Sequence, residues 1–181
     1  MAGSPLIGRP LPMLGAAPGR AEEILVSPKH PEWIRSKAPG GARYRELQSL
    51  MRTKSLNTVC EEAHCPNIGE CWNHGTATFM ILGNVCTRAC SYCAVAHGRP
   101  DAVDNAEPER VANAIQQLDL NYVVITSVDR DDLKDGGASI FAGVITETRK
   151  RMANCRIEVL IPDFKGEEAP LRTVLEAGPD V

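Results

Sequence analysis

From residue 79 onward the apolar positions of the chain fall into a repeating pattern. Phe79-Met80-Ile81-Leu82-Gly83 is an unbroken apolar run of strand length, and Tyr122–Thr126 and Ile157–Ile161 are two more. The segments after them carry apolar residues at helical spacing instead. Val111, Ala114, Ile115 and Leu118 mark a helix over Glu109–Leu118, and further helices are expected over Ile140–Met152 and Glu168–Ala177. A turn at Asp135-Gly136-Gly137 separates the second strand from its helix. Strands that are apolar on both faces, alternating with helices, predict a parallel sheet covered by helices, the α/β class. Three β/α units neither close a barrel nor make a comfortable open sheet. The last residue, Val181, falls where a fourth strand is due. The expectation is therefore a C-terminally truncated chain, or a fragment of a larger barrel.

Upstream the pattern differs. Tyr44, Leu47, Leu50 and Met51 predict a short amphipathic helix over Arg43–Thr53. Cys60 to Trp72 contains Pro66, Asn67 and Gly69 and has no periodicity, so it reads as an irregular loop held by something other than a core. Residues 1–42 are punctuated by prolines and by Gly40-Gly41, and read as a largely irregular tail. Met1–Arg20 lacks the unbroken apolar stretch of a secretory signal. Three parts follow: a tail over 1–42, an extension over 43–78, and the β/α units over 79–181.

Composition narrows the function classes. Hydrophobic residues make up 43% of the 181 positions but aromatics only 4%, so the core must be built mainly from Val, Ile, Leu and Ala. With 20 basic and 23 acidic residues the formal charge is -3, which argues against a nucleic acid or an anionic membrane as partner. No apolar run approaches the ~20 residues of a membrane span. Without an export signal the seven cysteines are expected in a reducing compartment, the cytoplasm rather than an organelle matrix. Cysteine clusters there bind metal or do catalysis rather than form disulfides.

Six of the seven cysteines form two triplets. Cys86, Cys90 and Cys93 have the spacing C-x3-C-x2-C and directly follow the first strand. The C-terminal ends of parallel strands are where α/β folds place active sites. Three adjacent thiolates can bind three irons of a 4Fe–4S cluster, leaving the fourth iron open to an external ligand. The ligand expected is the amine and carboxylate of S-adenosylmethionine, whose C–S bond breaks on one-electron reduction to give a 5′-deoxyadenosyl radical. Tyr92, just before the third cysteine, is placed where an aromatic ring can lie near the adenine. Zinc is the competing occupant, but it favours paired C-x2-C units and four ligands. The other triplet, Cys60, Cys65 and Cys71, has the spacing C-x4-C-x5-C, for which a zinc-stapled loop competes on equal terms.

The two triplets together, in the context Thr58-Val59-Cys60-Glu61-Glu62-Ala63-His64-Cys65-Pro66-Asn67-Ile68-Gly69-Glu70-Cys71-Trp72 and then Gly75-Thr76-Ala77-Thr78-Phe79-Met80-Ile81-Leu82-Gly83, closely resemble the lipoyl synthase family. So do Pro31–Arg35, Val124–Leu133, Asp135–Ala138 and Glu158–Phe164. The resemblance implies a radical S-adenosylmethionine fold, the N-terminal part of a partial (β/α)6 barrel behind an irregular cysteine-rich extension. It implies a sulfurtransferase that inserts two sulfur atoms, at C6 and C8 of an octanoyl chain borne on a lysine of a lipoyl carrier protein. Such carriers are the glycine cleavage H protein or the E2 domains of dehydrogenase complexes, with ferredoxin or flavodoxin as electron donor. Unactivated C–H bonds yield to no side-chain base, so a carbon radical is the fitting tool. Carried over, two 4Fe–4S clusters are implied. Cys86, Cys90 and Cys93 hold the radical-generating one, and Cys60, Cys65 and Cys71 hold an auxiliary one consumed as the sulfur source. The family completes the auxiliary site with a serine from a later Arg-Ser-Ser-Tyr block, which this sequence does not contain, so little or no sulfur insertion is expected of it. The alternatives are a dethiobiotin-type sulfur inserter, which has no use for the first triplet, and a zinc-stapled or cluster-binding fragment without catalysis.

Gly136 and Gly137 resemble the glycine pair whose backbone takes the methionine amine in such enzymes, although turn chemistry alone explains them. Ser127, Asp129 and Arg130, at the end of the second strand, either face the cofactor or build a turn. His64, His74 and His97 read as neighbours of the clusters rather than ligands. Cys155 reads as a buried structural thiol. Glu158 faces either the mouth of the fold or its rim.

Overall fold

The computed structural model describes residues 38–74 and 76–181. Residues 1–37 of the tail expected over 1–42, the Pro31–Arg35 block among them, and Gly75 lie outside them. The elements run α1 (Ala42–Thr53), β1 (Asn57–Thr58), α2 (Val59–Glu62), α3 (Ile68–Asn73), β2 (Thr78–Ile81), α4 (Glu107–Gln117), β3 (Tyr122–Ser127), α5 (Ala138–Arg151), β4 (Arg156–Leu160), a 3-10 turn (Phe164–Gly166) and α6 (Glu168–Glu176).

One four-stranded sheet has the order β1-β2-β3-β4. β2, β3 and β4 are parallel, with Thr78 opposite Val124 and Tyr122 opposite Arg156. The strand–helix alternation expected of the sequence is present, each parallel neighbour being reached through a helix. Along the strands every second residue is sealed: Phe79, Ile81, Val123, Ile125 and Ile157 are at most 1% exposed. They share one core with Val111, Ala114 and Ile115 of α4 and Phe141, Val144 and Ile145 of α5. The period of two along a strand and 3.6 along a helix brings these positions to common faces.

The opposite face departs from the expectation of a sheet covered on both sides. Tyr122 is 39% exposed and Leu160 55%. The Tyr122 hydroxyl donates to Glu158, and Thr126 donates through Oγ1 to the Leu160 carbonyl at 2.9 Å. Glu158 is thus a partly exposed rim charge tied to its neighbouring strand. At the far edge, the Asp180 N–H donates to the Ile157 carbonyl at 2.8 Å and the Val159 N–H donates to the Val181 carbonyl at 2.9 Å. These bonds continue the ladder beyond β4, where the sequence pattern calls for another strand.

The stretch expected to be an irregular loop contains two short helices. Thr58 caps α2 by accepting the Glu61 N–H at 3.3 Å, and the Thr58-Val59-Cys60-Glu61 pattern is that of a capping box. This signature overrides the missing periodicity, because a helix of four residues is too short to show one. The extension joins the rest through β1, which pairs antiparallel with β2 (Asn57 opposite Met80). Trp72 is fully buried and stacks at 4.9 Å on Tyr44 of α1. Cys155 is 2% exposed, the structural thiol expected, and its burial pushes the thiol pKa up. All seven cysteines are free. Among the described residues no helix is long and apolar enough to cross a membrane.

Candidate functional site

The loop that leaves β2 carries Cys86, Cys90 and Cys93, and its two halves are held differently. Cys86 is fixed on both sides: its N–H donates to the Ala96 carbonyl at 2.8 Å, and its carbonyl accepts the Gly98 N–H at 2.9 Å. These bonds set it beside His97 in an isolated parallel bridge, so this histidine neighbours the triplet through its backbone. The Cys86 sulfur accepts two backbone N–H bonds, from Arg88 at 3.4 Å and Asp129 at 3.3 Å. Two amides aimed at one sulfur suit a thiolate or a metal-bound sulfur, and such bonds help set the properties of iron–sulfur sites. Cys90 and Cys93 are exposed, linked by the Cys93 N–H donating to the Cys90 carbonyl at 3.0 Å. Tyr92 between them is 90% exposed.

Residues that the spacing of cysteines does not reveal hold the fixed half. Thr87 is stitched to the end of β3: its N–H and Oγ1 both donate to the Asp129 carbonyl at 3.0 Å, and Oγ1 accepts the Asp131 N–H at 3.0 Å. Arg88 grips two carboxylates at once. Nε and Nη2 bond Asp131, each at 2.8 Å, and Nη1 and Nη2 bond Asp163 at 2.7 and 2.8 Å. Two bidentate contacts use the planar fork of a guanidinium in a way no ammonium can match. They hold the Asp163 carboxyl down at about 2, with Arg88 as the main cause, and lower Asp131 as well. Asp129 lies 3.7 Å from Arg88, but burial outweighs that attraction and raises its carboxyl pKa. An arginine between two candidate ligands, with aspartates after two successive strands, is the sequence signal that could have exposed this network.

Arg88→Ala should therefore free the fixed half of the loop. Amide exchange across Cys86–Arg88 is expected to speed up, and stability to fall by about 1–2 kcal/mol, a figure kept low because the pairs are partly solvent-exposed. Arg88→Lys should recover little of either. Unchanged exchange in the alanine variant would show that the loop is held by other bonds.

The first triplet is gathered by the two short helices. Cys60 lies in α2, Cys65 in the turn after it and Cys71 in α3. The Cys65 N–H donates to the Cys60 carbonyl at 3.0 Å, and the Cys71 N–H to Asn67 at 3.0 Å. Burial pushes the Cys71 thiol up, and the charges of Cys60 and Cys65 push it further. Such a set fits a cationic centre. Among the described residues no three or more His, Cys, Asp or Glu are gathered as a single metal ion would need.

The remaining predicted residues sit at the ends of β3 and β4. Gly136 and Gly137 have φ of +57° and +89°, and a Cβ on Gly137 would lie 2.1 Å from Leu82 Cδ1. Their glycine identity is thus fixed by the turn and its packing, whatever they bind. The Gly137 N–H donates to Asp135 at 3.1 Å and the Gly136 N–H to the Leu133 carbonyl at 3.3 Å. Ser127 has a buried hydroxyl without a hydrogen-bond partner. Arg130 has the structural role that is one of its two expected readings, and it also lines the cavity beside these turns. It is 4% exposed and donates to Asp132, to the Asp101 carbonyl at 3.0 Å and to the Leu82 carbonyl at 3.2 Å. Asp129, Asp131, Gly136, Phe164 and Lys165 line the same cavity, of about 450 Å³.

Comparison with known proteins bears on both halves. Residues 80–181 match the family model described as the radical SAM superfamily, and residues 21–65 match the N-terminal domain of lipoyl synthase of the radical SAM family. The chain is 58% identical over 153 residues to a protein of Roseiflexus sp. (strain RS-1) named lipoyl synthase, covering 84% of this chain and 51% of that one. A lipoyl synthase of Chloroflexus aurantiacus is 56% identical over 154 residues (85% of this chain, 50% of that one). One of Rubrobacter xylanophilus is 57% identical over 150 (83% and 47%). The chain spans about half the length of the curated relatives it matches.

Proposed function

Because this chain belongs to the radical SAM superfamily, we propose that it carries the two cluster sites of a lipoyl synthase. The observation that carries the reading is the pair of cysteine triplets, one borne on the two short helices α2 and α3 and the turn between them, the other anchored through the amides on Cys86. Cys86, Cys90 and Cys93 would hold a 4Fe–4S cluster that supplies the electron to cleave S-adenosylmethionine, and Cys60, Cys65 and Cys71 a second one that supplies sulfur. The reaction is sulfur insertion at C6 and C8 of an octanoyl group on a lipoyl carrier protein. Ferredoxin or flavodoxin serves as donor, in a reducing compartment such as the cytoplasm. The triplets open a partial (β/α)6 barrel whose ladder runs on past β4.

The chain's own residues do the positioning. Thr87 and Arg88 fix the first half of the cysteine loop against β3 and the turn after β4, while Cys90, Tyr92 and Cys93 stay open to solvent for a ligand to cover. The N–H groups of Gly136 and Gly137 are already committed. The Gly137 carbonyl already accepts the Ile140 and Phe141 N–H groups at 3.0 and 3.2 Å, so what the pair can offer an incoming methionine ammonium is the Gly136 carbonyl oxygen, the kind of acceptor an ammonium needs. Ser127 brings a spare buried hydroxyl to the same edge, and Asp129 a carboxylate for polar groups of the nucleoside.

Anaerobic reconstitution tests the reading. About eight irons and as many sulfides are expected per full-length protein carrying this chain, two cubanes' worth, with a brown colour and a broad band near roughly 400 nm. Stoichiometric zinc without sulfide would overturn it. Activity is read by supplying S-adenosylmethionine, a low-potential reductant and an octanoyl-lysine peptide to a protein carrying this chain. The products expected are 5′-deoxyadenosine and a peptide heavier by two sulfurs.

A further inference from the structure

Leu82, the first residue after β2, has φ of +70°. A bulky side chain in the left-handed region is uncommon and persists only where its surroundings hold it. Three segments meet on this residue. Its N–H donates to Glu107 Oε2 at 2.8 Å, from the first turn of α4. Its carbonyl accepts from Arg130 Nη1 at 3.2 Å, after β3. Its side chain fills the space left by the missing Cβ of Gly137, at the start of α5. Glu107 is 5% and Arg130 4% exposed, so a buried carboxylate and a buried guanidinium grip one residue from its two backbone ends. Burying a carboxylate is costly, and here it meets the amide of a strained residue four positions before Cys86.

We propose that Glu107 and Arg130 are positioning residues that lock Leu82 in its left-handed turn against Gly137 and thereby deliver Cys86 to the amide of Asp129. The inference rests on the lipoyl synthase reading for its catalytic consequence, and on geometry alone for its structural one. Glu107's role is to be an acceptor at a given distance, not a charge at a helix start. That makes it separable from the ordinary preference of helix N-termini for acidic residues.

Two variants divide these roles. Glu107→Asp keeps the charge but withdraws the acceptor by one methylene, whereas Glu107→Gln keeps an acceptor in place without the charge. In the chain without clusters, amide hydrogen exchange at Leu82 is expected to speed up at least tenfold in Glu107→Asp and to stay within about threefold of the parent in Glu107→Gln. After reconstitution, Glu107→Asp should keep its iron content but raise the KM for S-adenosylmethionine about tenfold. It should also alter the change that S-adenosylmethionine makes to the electron paramagnetic resonance of the reduced protein. Glu107→Gln should match the parent in both. The reverse order, or parental exchange at Leu82 in both variants, overturns the proposal. A parent chain that binds no clusters overturns the lipoyl synthase reading instead, and the exchange measurement still decides the clamp. If Glu107→Asp does not fold, Arg130→Lys takes its place in the same measurements, with faster Leu82 exchange expected and parental exchange overturning the clamp.

Discussion

In a full-length protein carrying this chain, replacing Cys90 with alanine is expected to abolish 5′-deoxyadenosine formation, while replacing Cys65 leaves that product and stops sulfur transfer. The asymmetry follows from what each triplet is proposed to hold. Cys90 is one of three thiols, and the exposed half of its loop has no spare ligand nearby in sequence except Cys93, which is already counted. Losing it leaves two protein sulfurs for a cluster that depends on three, so the loss should be complete, with iron falling by about half, from eight to four. Cys65 belongs to the other set, whose connection to the sheet runs through the two-residue β1. Quantifying 5′-deoxyadenosine, methionine and peptide-bound sulfur on the two reconstituted variants is the check. Equal loss of S-adenosylmethionine cleavage in both would refute the division of labour between the triplets.

Gly137→Ala is the second change expected to have a large effect. The residue must adopt φ of +89°, and its new Cβ would sit 2.1 Å from Leu82 Cδ1. The left-handed conformation costs about 1–2 kcal/mol for a residue with a Cβ. Overpacking adds about 1–3 kcal/mol, because Leu82 is buried and both ends of its backbone are held. A loss of about 2–5 kcal/mol is large against a typical domain stability of about 5–15 kcal/mol. Chemical denaturation measures it. Leu82→Ala in the same chain supplies the control: with the clash gone, Gly137→Ala should cost only the conformational part, so the two changes are not additive. Additivity would mean that Leu82 does not occupy the glycine's space.

The parts of the fold that were legible in the sequence are those where one period dominates over several residues. The three parallel strands and the helices after them fall within a few residues of where apolar spacing puts them, since burial alone selects those positions. β2 ends at Ile81 rather than Gly83 because Leu82 turns left-handed, a feature set by Glu107, Arg130 and Gly137 and hence by tertiary contact. β1 and α2 are too short to carry a period at all. In the candidate site, residue type and spacing were enough to pick out the cysteines. The residues that hold their loop were not visible in the same way. Arg88, Asp131 and Asp163 are ordinary charged residues until the ends of β3 and β4 are side by side. Arg130 could be read from the sequence as a cofactor contact or as part of a turn, and only its burial and its bonds to Leu82 and Asp101 show the structural part it plays.

The grip of Arg88 on Asp163 joins positions 75 residues apart. Closing so long a stretch of chain has an entropic cost that only a largely built sheet can offset. The bonds of Cys86 and Thr87 need only the loop itself and the end of β3, whereas this part of the Arg88 anchor can close only once β4 is in place. The cysteine loop is thus tied into the fold in two layers, one local and one that depends on the whole β2–β4 segment.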